Sequence, residues 1–317
     1  MTSLLSGWVR GAFGQHFEVV SFEDPHTAVI CVRRGKRHDV ACGDHVRYLP
    51  TGSGQGVIET IDARQSLLWR ADHKRQKLLA ANVDRVLLVS AGEPTPSLEL
   101  ISRTLISAEA AHIPPLLILT KSDLQASTAQ WRPALEYFET LGYPLITVNM
   151  NDTQGLREQL EHHQSLLVGQ SGMGKSTLLN ALIPGARAAT QAISVALDGG
   201  CHTTTASRAY PLTHGWLMDS PGIQSFGLGY LVAQELIAFF PEFTSLQGQC
   251  RFPDCQHLQE PDCALKDFVA GHPWRSLRLQ TLQQLQQECM PPLIPTSSPN
   301  RRHQRRHQRP NDESTPQ

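Results

Sequence analysis

The sequence predicts a multidomain chain: an N-terminal all-β barrel, a central α/β domain, and a C-terminal, mostly helical domain built round a metal site. Three observations predict it. Short alternating apolar segments run from about residue 5 to about residue 66. From about residue 83, continuous apolar runs alternate with stretches of helical spacing. Three cysteines and a histidine then fall between Cys250 and Cys263.

The barrel comes first. Trp8-Val9-Arg10, Phe17 to Val20, Ala28 to Val32, His45 to Tyr48 and Val57 to Ile61 read as strands, with turns at Arg34-Gly35-Lys36 and Thr51 to Gly54. Five short strands at this spacing predict an OB-fold over residues 1–68, and a small SH3-like barrel fits the same pattern. Arg33, Arg34, Lys36 and Arg37 make a basic loop there. Together with Arg70, His73, Lys74, Arg75 and Lys77 at the next junction, it is expected to meet RNA phosphates.

Residues 69–228 are expected to form the α/β domain. Val83 to Ala91 is an apolar run that reads as a buried strand, and Leu98 to Ala111 has helical spacing. Leu116 to Leu119 is a strand, Ala129 to Leu141 a helix with Pro133 in its first turn, and Leu145 to Val148 a strand. Gly155 to His162 is a helix, ending in the polar pair His162-His163. Leu166 to Val168, Thr177 to Ile183 and Trp216 to Met218 complete the alternation that specifies a parallel sheet. Residues 229–290 read as helical and irregular around the cysteines, and 291–317 as a disordered basic tail carrying Arg301, Arg302, Arg305, Arg306 and Arg309.

Composition narrows the classes. A chain of 317 residues with 40% hydrophobic content can build two or three cores. A net charge of −1 neither points to nucleic acid nor excludes it, so only local patches speak. The chain has no long uncharged apolar run and no signal-like h-region, so neither a membrane span nor export is expected, and a cytoplasmic location is. Seven cysteines, three of them beside a histidine, suit a metal site in a reducing compartment better than a disulfide framework.

Gly169-Gln170-Ser171-Gly172-Met173-Gly174-Lys175-Ser176, followed by Thr177, is a complete phosphate-binding loop between a strand and a helix. Its glycines let backbone N–H groups approach phosphate oxygens, and the helix N-terminus adds a positive dipole end. Lys175 is expected to reach the β- and γ-phosphates, and the Ser176 hydroxyl to ligate Mg²⁺. Asp219-Ser220-Pro221-Gly222 follows a strand. Asp219 there would hold Mg²⁺, and Gly222 would offer its N–H to the γ-phosphate. Thr120-Lys121-Ser122-Asp123 matches the Asn/Thr-Lys-x-Asp signature that reads guanine. The Asp123 carboxylate would accept from guanine N1–H and the exocyclic amine, a donor pair adenine lacks. The competing role is a helix cap by Ser122 or Asp123. Thr120 stands where Asn is commoner, which is expected to loosen base affinity. Between loop and Asp219 lies Gly200-Cys201-His202-Thr203-Thr204-Thr205, with Thr204 the favoured Mg²⁺ ligand and Thr205 the alternative. Cys250, Cys255, His257 and Cys263 form a closed Cys₃His set suited to one structural Zn²⁺. Cys31, Cys42 and Cys289 are assigned to packing.

In an ordinary GTPase the guanine motif comes last; here it precedes the phosphate loop. With Gly-x-His-Thr-Thr-Thr, Asp-Ser-Pro-Gly and the cysteine cluster following, the order resembles the RsgA (YjeQ-type) family, from the barrel to about residue 290. The resemblance implies an OB-fold, a circularly permuted GTPase domain and a C-terminal zinc domain. It also implies GTP hydrolysis stimulated by the small ribosomal subunit during its late maturation, with contacts to rRNA. Ile223 occupies the position where many GTPases carry a water-orienting Gln, and the resemblance assigns that task to His202. Asn149-Met150 stands where the family has a Ser-Ala-type loop. The expected partners are the small subunit, its rRNA and GTP or GDP, bound by a monomer. Two other classes share parts of the pattern: a P-loop kinase or ATPase, and a zinc-containing RNA-binding protein using GTP as an affinity switch with little turnover.

Overall fold

A computed structural model describes residues 3–24, 27–35, 39–71, 76–186, 207–220 and 225–289. Among the described residues the barrel has five strands: β1 (Leu5–Phe13), β2 (His16–Val20), β3 (Ala28–Arg33), β4 (His45–Gly52) and β5 (Gln55–Ile61). They pair in the order β1-β2-β3-β5-β4, and β4 returns to β1 to close the barrel. All pairs are antiparallel except β3–β5. This closed order is the OB arrangement and decides against the SH3-like alternative. Val9, Phe17, Val19, Cys31, Val46, Tyr48 and Ile58 fill its interior, because inward positions alternate along each strand. Burial pushes the Cys31 thiol up to about 12, as befits an inert core residue.

A hairpin that the sequence pattern did not predict follows: β6 (Leu67–Ala71) and β7 (Gln76–Ala81), paired antiparallel. The α/β domain then contains β8 (Arg85–Ala91), α1 (Leu98–Ala110), β9 (Pro115–Thr120), α2 (Gln125–Thr140), β10 (Leu145–Thr147), α3 (Gln154–Leu160), β11 (Gln164–Val168), α4 (Lys175–Leu182), β12 (Ser207–Leu212) and β13 (Gly215–Asp219). Its sheet order is β10-β9-β8-β11-β13-β12, parallel except for the β12–β13 pair. The continuous apolar run in β8 has a cause on each face: Leu88 packs with Leu105 of α1 and Leu135 of α2, while Leu87 and Val89 pack with Leu160 of α3 and Leu178 of α4. From β8 the chain steps outward to β9 and β10, then returns to β11 on the other side of β8. Such a reversal opens a crevice at the carboxyl ends of the strands.

Three expectations need correction. α2 begins at Gln125, so Pro133 lies inside the helix rather than in its first turn. His162 and His163 lie past the end of α3. His162 stacks on His214, ring centroids 4.9 Å apart, and His163 pairs with Asp84. Arg33 is not a free loop cation: its guanidinium holds Asp39 at 3.1 Å and the carbonyls of Ile58 and Glu59 at 3.0 and 2.6 Å.

Beyond residue 225 the chain is held at once. Ala71 N–H donates to Gly227 O, Arg70 to Ser225 O, and Arg103 of α1 to Phe226 O. A 3-10 turn (Ala233–Phe239), α5 (Pro241–Thr244), α6 (Ala264–Val269) and α7 (Pro273–Cys289) follow. Phe240, Phe243, Leu265, Leu279, Leu282 and Leu285 make their core. Within it Arg278, fully buried, pairs with Glu242 at 2.6 Å and lies 4.3 Å from the Phe240 ring centroid.

Candidate functional site

The crevice gathers the sequence motifs. β11 ends at Val168 and delivers the phosphate loop. Gly169 passes so close to β8 that a Cβ there would sit 2.4 Å from Val89 O. Gly174 takes a left-handed φ of 91° and turns the chain into α4, whose first residue is Lys175. Ser171, Gly172, Ser176 and Thr177 are exposed, while Met173 is buried. Lys175 is buried, and its Nζ donates to Gly169 O at 2.7 Å and Gln170 O at 2.9 Å. Burial lowers its pKa, and Asp219 opposes that shift.

β9 ends in Thr120, which is fully buried. Its hydroxyl donates to Met173 O at 2.6 Å, joining the guanine motif to the phosphate loop. Thr120 therefore retains a tether across the two motifs. Lys121 follows with φ 53° and donates to Glu93 O at 3.0 Å. The N-cap of α2 is Leu124 and no side chain caps that helix, so neither Ser122 nor Asp123 takes the competing role. Lys121, Ser122 and Asp123 instead line a cavity of about 800 Å³ with Asn149, Met150, Gly174 and Thr177. A cavity of that size is ample for a purine and its ribose. Asn149 folds the facing loop by accepting from Asn151 N–H at 3.0 Å. Asn149 and Met150, which depart from Ser-Ala, thus form part of the wall of this cavity.

Asp219 ends β13, and its register partner on β11 is Leu167, two residues before the loop. Its Oδ1 is buried and makes no hydrogen bond among the described residues. Burial raises its pKa to about 6, with Lys175 opposing. An orphaned, buried carboxylate oxygen beside a phosphate loop fits a bound cation. His202, Thr204, Thr205, Gly222 and Ile223 lie outside the described residues, as do Lys36, Arg37, His73, Lys74, Arg75 and the arginine tail.

Sequence reasoning missed one support. Gln170 reaches the loop between β8 and α1, accepting from Ser97 N–H at 3.0 Å and donating to Thr95 O at 3.4 Å. Ser97 also caps α1. The run Glu93-Pro94-Thr95-Pro96 after an apolar strand was the available signal of a rigid loop there.

In the C-terminal part, one ligand atom from each of Cys250, Cys255, His257 and Cys263 lies within 4.8 Å of the others. His257 Nδ1 is 3.6 Å from the Cys250 and Cys255 sulfurs and 3.4 Å from Cys263 Sγ, and the Cys250 and Cys263 sulfurs are 3.9 Å apart. A tetrahedral zinc with Zn–S about 2.3 Å and Zn–N about 2.0 Å has S···N edges of about 3.5 Å and S···S edges of about 3.8 Å. Burial lowers the His257 pKa, which favours the neutral imidazole a metal requires.

The RsgA GTPase family model matches residues 61–229. A protein of Neisseria meningitidis serogroup C named small ribosomal subunit biogenesis GTPase RsgA is 46% identical over 282 residues, covering 88% of this chain and 91% of that protein. A protein of the same name from Paraburkholderia phymatum is 45% identical over 271 residues, 83% of this chain and 85% of its own. The crystal structure of YjeQ from Thermotoga maritima superposes with a TM-score of 0.64 at 28% identity, covering 90% of this chain and 99% of that one. YloQ, a circularly permuted GTPase, shares the fold with a TM-score of 0.60 at 24% identity over 91% of this chain and 97% of its own. The chain belongs to the RsgA GTPase family.

Proposed function

We propose that this chain hydrolyses GTP in the biogenesis of the small ribosomal subunit, and that the subunit stimulates its turnover. The observation that carries this reading is the Thr120–Met173 bond, which unites a guanine-reading motif and a triphosphate-binding loop in one crevice. The names of the relatives supply the ribosomal context. Adenine would leave the Asp123 carboxylate facing no donor pair, which argues against a kinase or ATPase.

Gly169 to Ser176 and Thr177 bind the phosphates, Thr120 to Asp123 hold the base, and Gly222 contacts the γ-phosphate. Lys175 exchanges the carbonyls of Gly169 and Gln170 for phosphate oxygens when nucleotide enters, placing a positive charge where negative charge builds up. Ser176, Thr204 and Asp219 hold Mg²⁺, which when bound neutralises the phosphates. His202 orients the attacking water in place of a Gln, since Ile223 has no hydrogen-bonding group. The Cys₃His set holds one structural Zn²⁺ and fixes the C-terminal fold. Arg34 and the basic residues around the β6–β7 hairpin approach rRNA, as does the tail. The exit of the Asp219 segment is bonded to Arg70, Arg103 and the end of α7, so loss of the γ-phosphate is felt by the zinc-binding part and favours release. The protein acts as a cytoplasmic monomer. Among the described residues no helix is long and apolar enough to cross a membrane.

Co-sedimentation with small subunits in GDP and in a non-hydrolysable GTP analogue, with turnover measured in parallel, tests this reading. Tighter binding with the analogue and faster hydrolysis with subunits are expected. Binding indifferent to nucleotide, with no stimulation, refutes it. Loss of stimulated turnover in His202→Ala, with subunit binding intact, is the corresponding result for the water-orienting role.

A further inference from the structure

The barrel and the nucleotide domain share one sheet. β1 pairs with β12 through Gly11↔Arg208 and Ala12↔Ser207, so the strand order runs unbroken from one domain into the other. Trp8 of β1 meets Trp216 of β13 edge-on, centroids 4.3 Å apart. Within this seam Glu18 of β2 is buried. Its carboxylate accepts from Arg10 Nη2 at 2.7 Å and from Arg208 Nε and Nη2 at 3.1 and 3.3 Å. Arg208 is also the direct cross-strand partner of Asp219 in the β12–β13 ladder. Directly paired residues present their side chains on one face of a sheet, within about 5.5 Å at Cβ. The packing agrees: Tyr210 and Leu217, which alternate in phase with Arg208 and Asp219, lie in one core cluster with the phosphate-loop helix. The Arg208 side chain therefore leaves the sheet beside that of Asp219, the carboxylate proposed for Mg²⁺, yet its guanidinium bonds to Glu18 of the barrel.

We infer that Glu18 is a positioning residue for the magnesium site: it captures Arg208 and so keeps a competing cation off Asp219. The inference rests on the proposed role of Asp219. It makes the seating of the barrel on the sheet a determinant of Mg²⁺ affinity, because the captor belongs to one domain and the carboxylate to the other. A shift of β2 away from β12 hands Arg208 back to Asp219.

Titration of Mg²⁺ into the full-length, GDP-bound protein tests it. Glu18→Gln, which keeps shape and removes charge, is expected to weaken Mg²⁺ binding at least about tenfold. Adding Arg208→Met to that variant is expected to restore binding to within about twofold of the parent, because the released cation is then gone. A structural role for the ion pair gives the opposite ordering, with the double variant no better than the single. Mg²⁺ affinity unchanged in folded Glu18→Gln, or not recovered in the double variant, overturns the inference. Should Glu18→Gln fail to fold, Glu18→Asp withdraws the carboxylate by one methylene while keeping its charge. A smaller loss, again reversed by Arg208→Met, is then required, and no loss overturns the inference. Asp219→Asn serves as the control: if it leaves Mg²⁺ affinity intact, the role of Asp219 itself fails. If it abolishes binding while Glu18→Gln does not, only the inference about Glu18 fails.

Discussion

Replacing Thr120 by Val removes one hydroxyl from the seam between guanine motif and phosphate loop while keeping the side-chain shape. Thr120 is fully buried and its Oγ1 lies 2.6 Å from Met173 O. Losing such a bond costs about 0.5–1.5 kcal/mol net, and about 1–3 kcal/mol where the acceptor is left buried and bare. Thr120 precedes Asp123 by three residues, and Met173 lies in the middle of the phosphate loop. The bond therefore fixes the guanine motif and the phosphate loop relative to each other, and under the proposed nucleotide roles its loss should fall on nucleotide binding. A loss of 1.4 kcal/mol is about tenfold in Kd. Fluorescent GDP titrations of Thr120→Val should show weakening of about fivefold to tenfold or more. Thr120→Ser, which keeps the hydroxyl, should stay within about threefold of the parent. Thermal melts without nucleotide separate the two loci of the effect. Val and parent proteins of equal GDP affinity, or Ser as weak as Val, would refute the tethering argument.

Other outcomes follow from the same geometry. Mg²⁺ binding should weaken as pH falls through about 6, since Asp219 is raised to about 6 by burial and the ion must then displace a proton. Calorimetry in buffers of different protonation enthalpy should register that proton below pH 6 and almost none at pH 8, and Asp219→Asn should reduce the dependence to that of the nucleotide's own terminal phosphate, whose second ionisation also lies at about 6. Cys255→Ser, or a strong chelator, should remove one zinc per chain by atomic absorption and lower the melting temperature, because the site's binding energy is folding energy for that segment. Arg278→Met should cost about 3–5 kcal/mol by denaturant unfolding, as Glu242 is left buried without its cation. Replacing Glu242 by Leu as well should recover most of that loss.

The sequence reveals those parts of the fold where one physical signal dominates. The five barrel strands and the apolar strands β8, β9 and β11 are visible because burial on one or both faces imposes alternation or an unbroken run. The phosphate loop, guanine motif and cysteine cluster are visible because their chemistry dictates spacing. β12 was missed: Ser207-Arg208-Ala209-Tyr210-Pro211 alternates weakly, and Pro211 argues against a strand interior. Its tolerance is clear once the register is seen, because β1 pairs only with Ser207 and Arg208. The start of α2 is not legible because Gln125 to Ser127 offer no apolar period. Arg33 reads as a loop cation because sequence shows its charge but not the carbonyls that consume it. The Glu18–Arg208 pair joins residues 190 positions apart, a contact no local pattern encodes.

The proposed selection of the base by Asp123 turns on the groups that the purine edge presents to its carboxylate. Guanine offers N1–H and an exocyclic amine to a carboxylate, whereas xanthine offers N1–H and a carbonyl, the complement of an amide. Competition binding should show the parent protein preferring GTP over ATP and XTP by at least about a hundredfold, and Asp123→Asn losing GTP and gaining XTP. A parent protein that binds ATP as well as GTP, or an Asp123→Asn variant that still prefers GTP, would contradict the account at its centre.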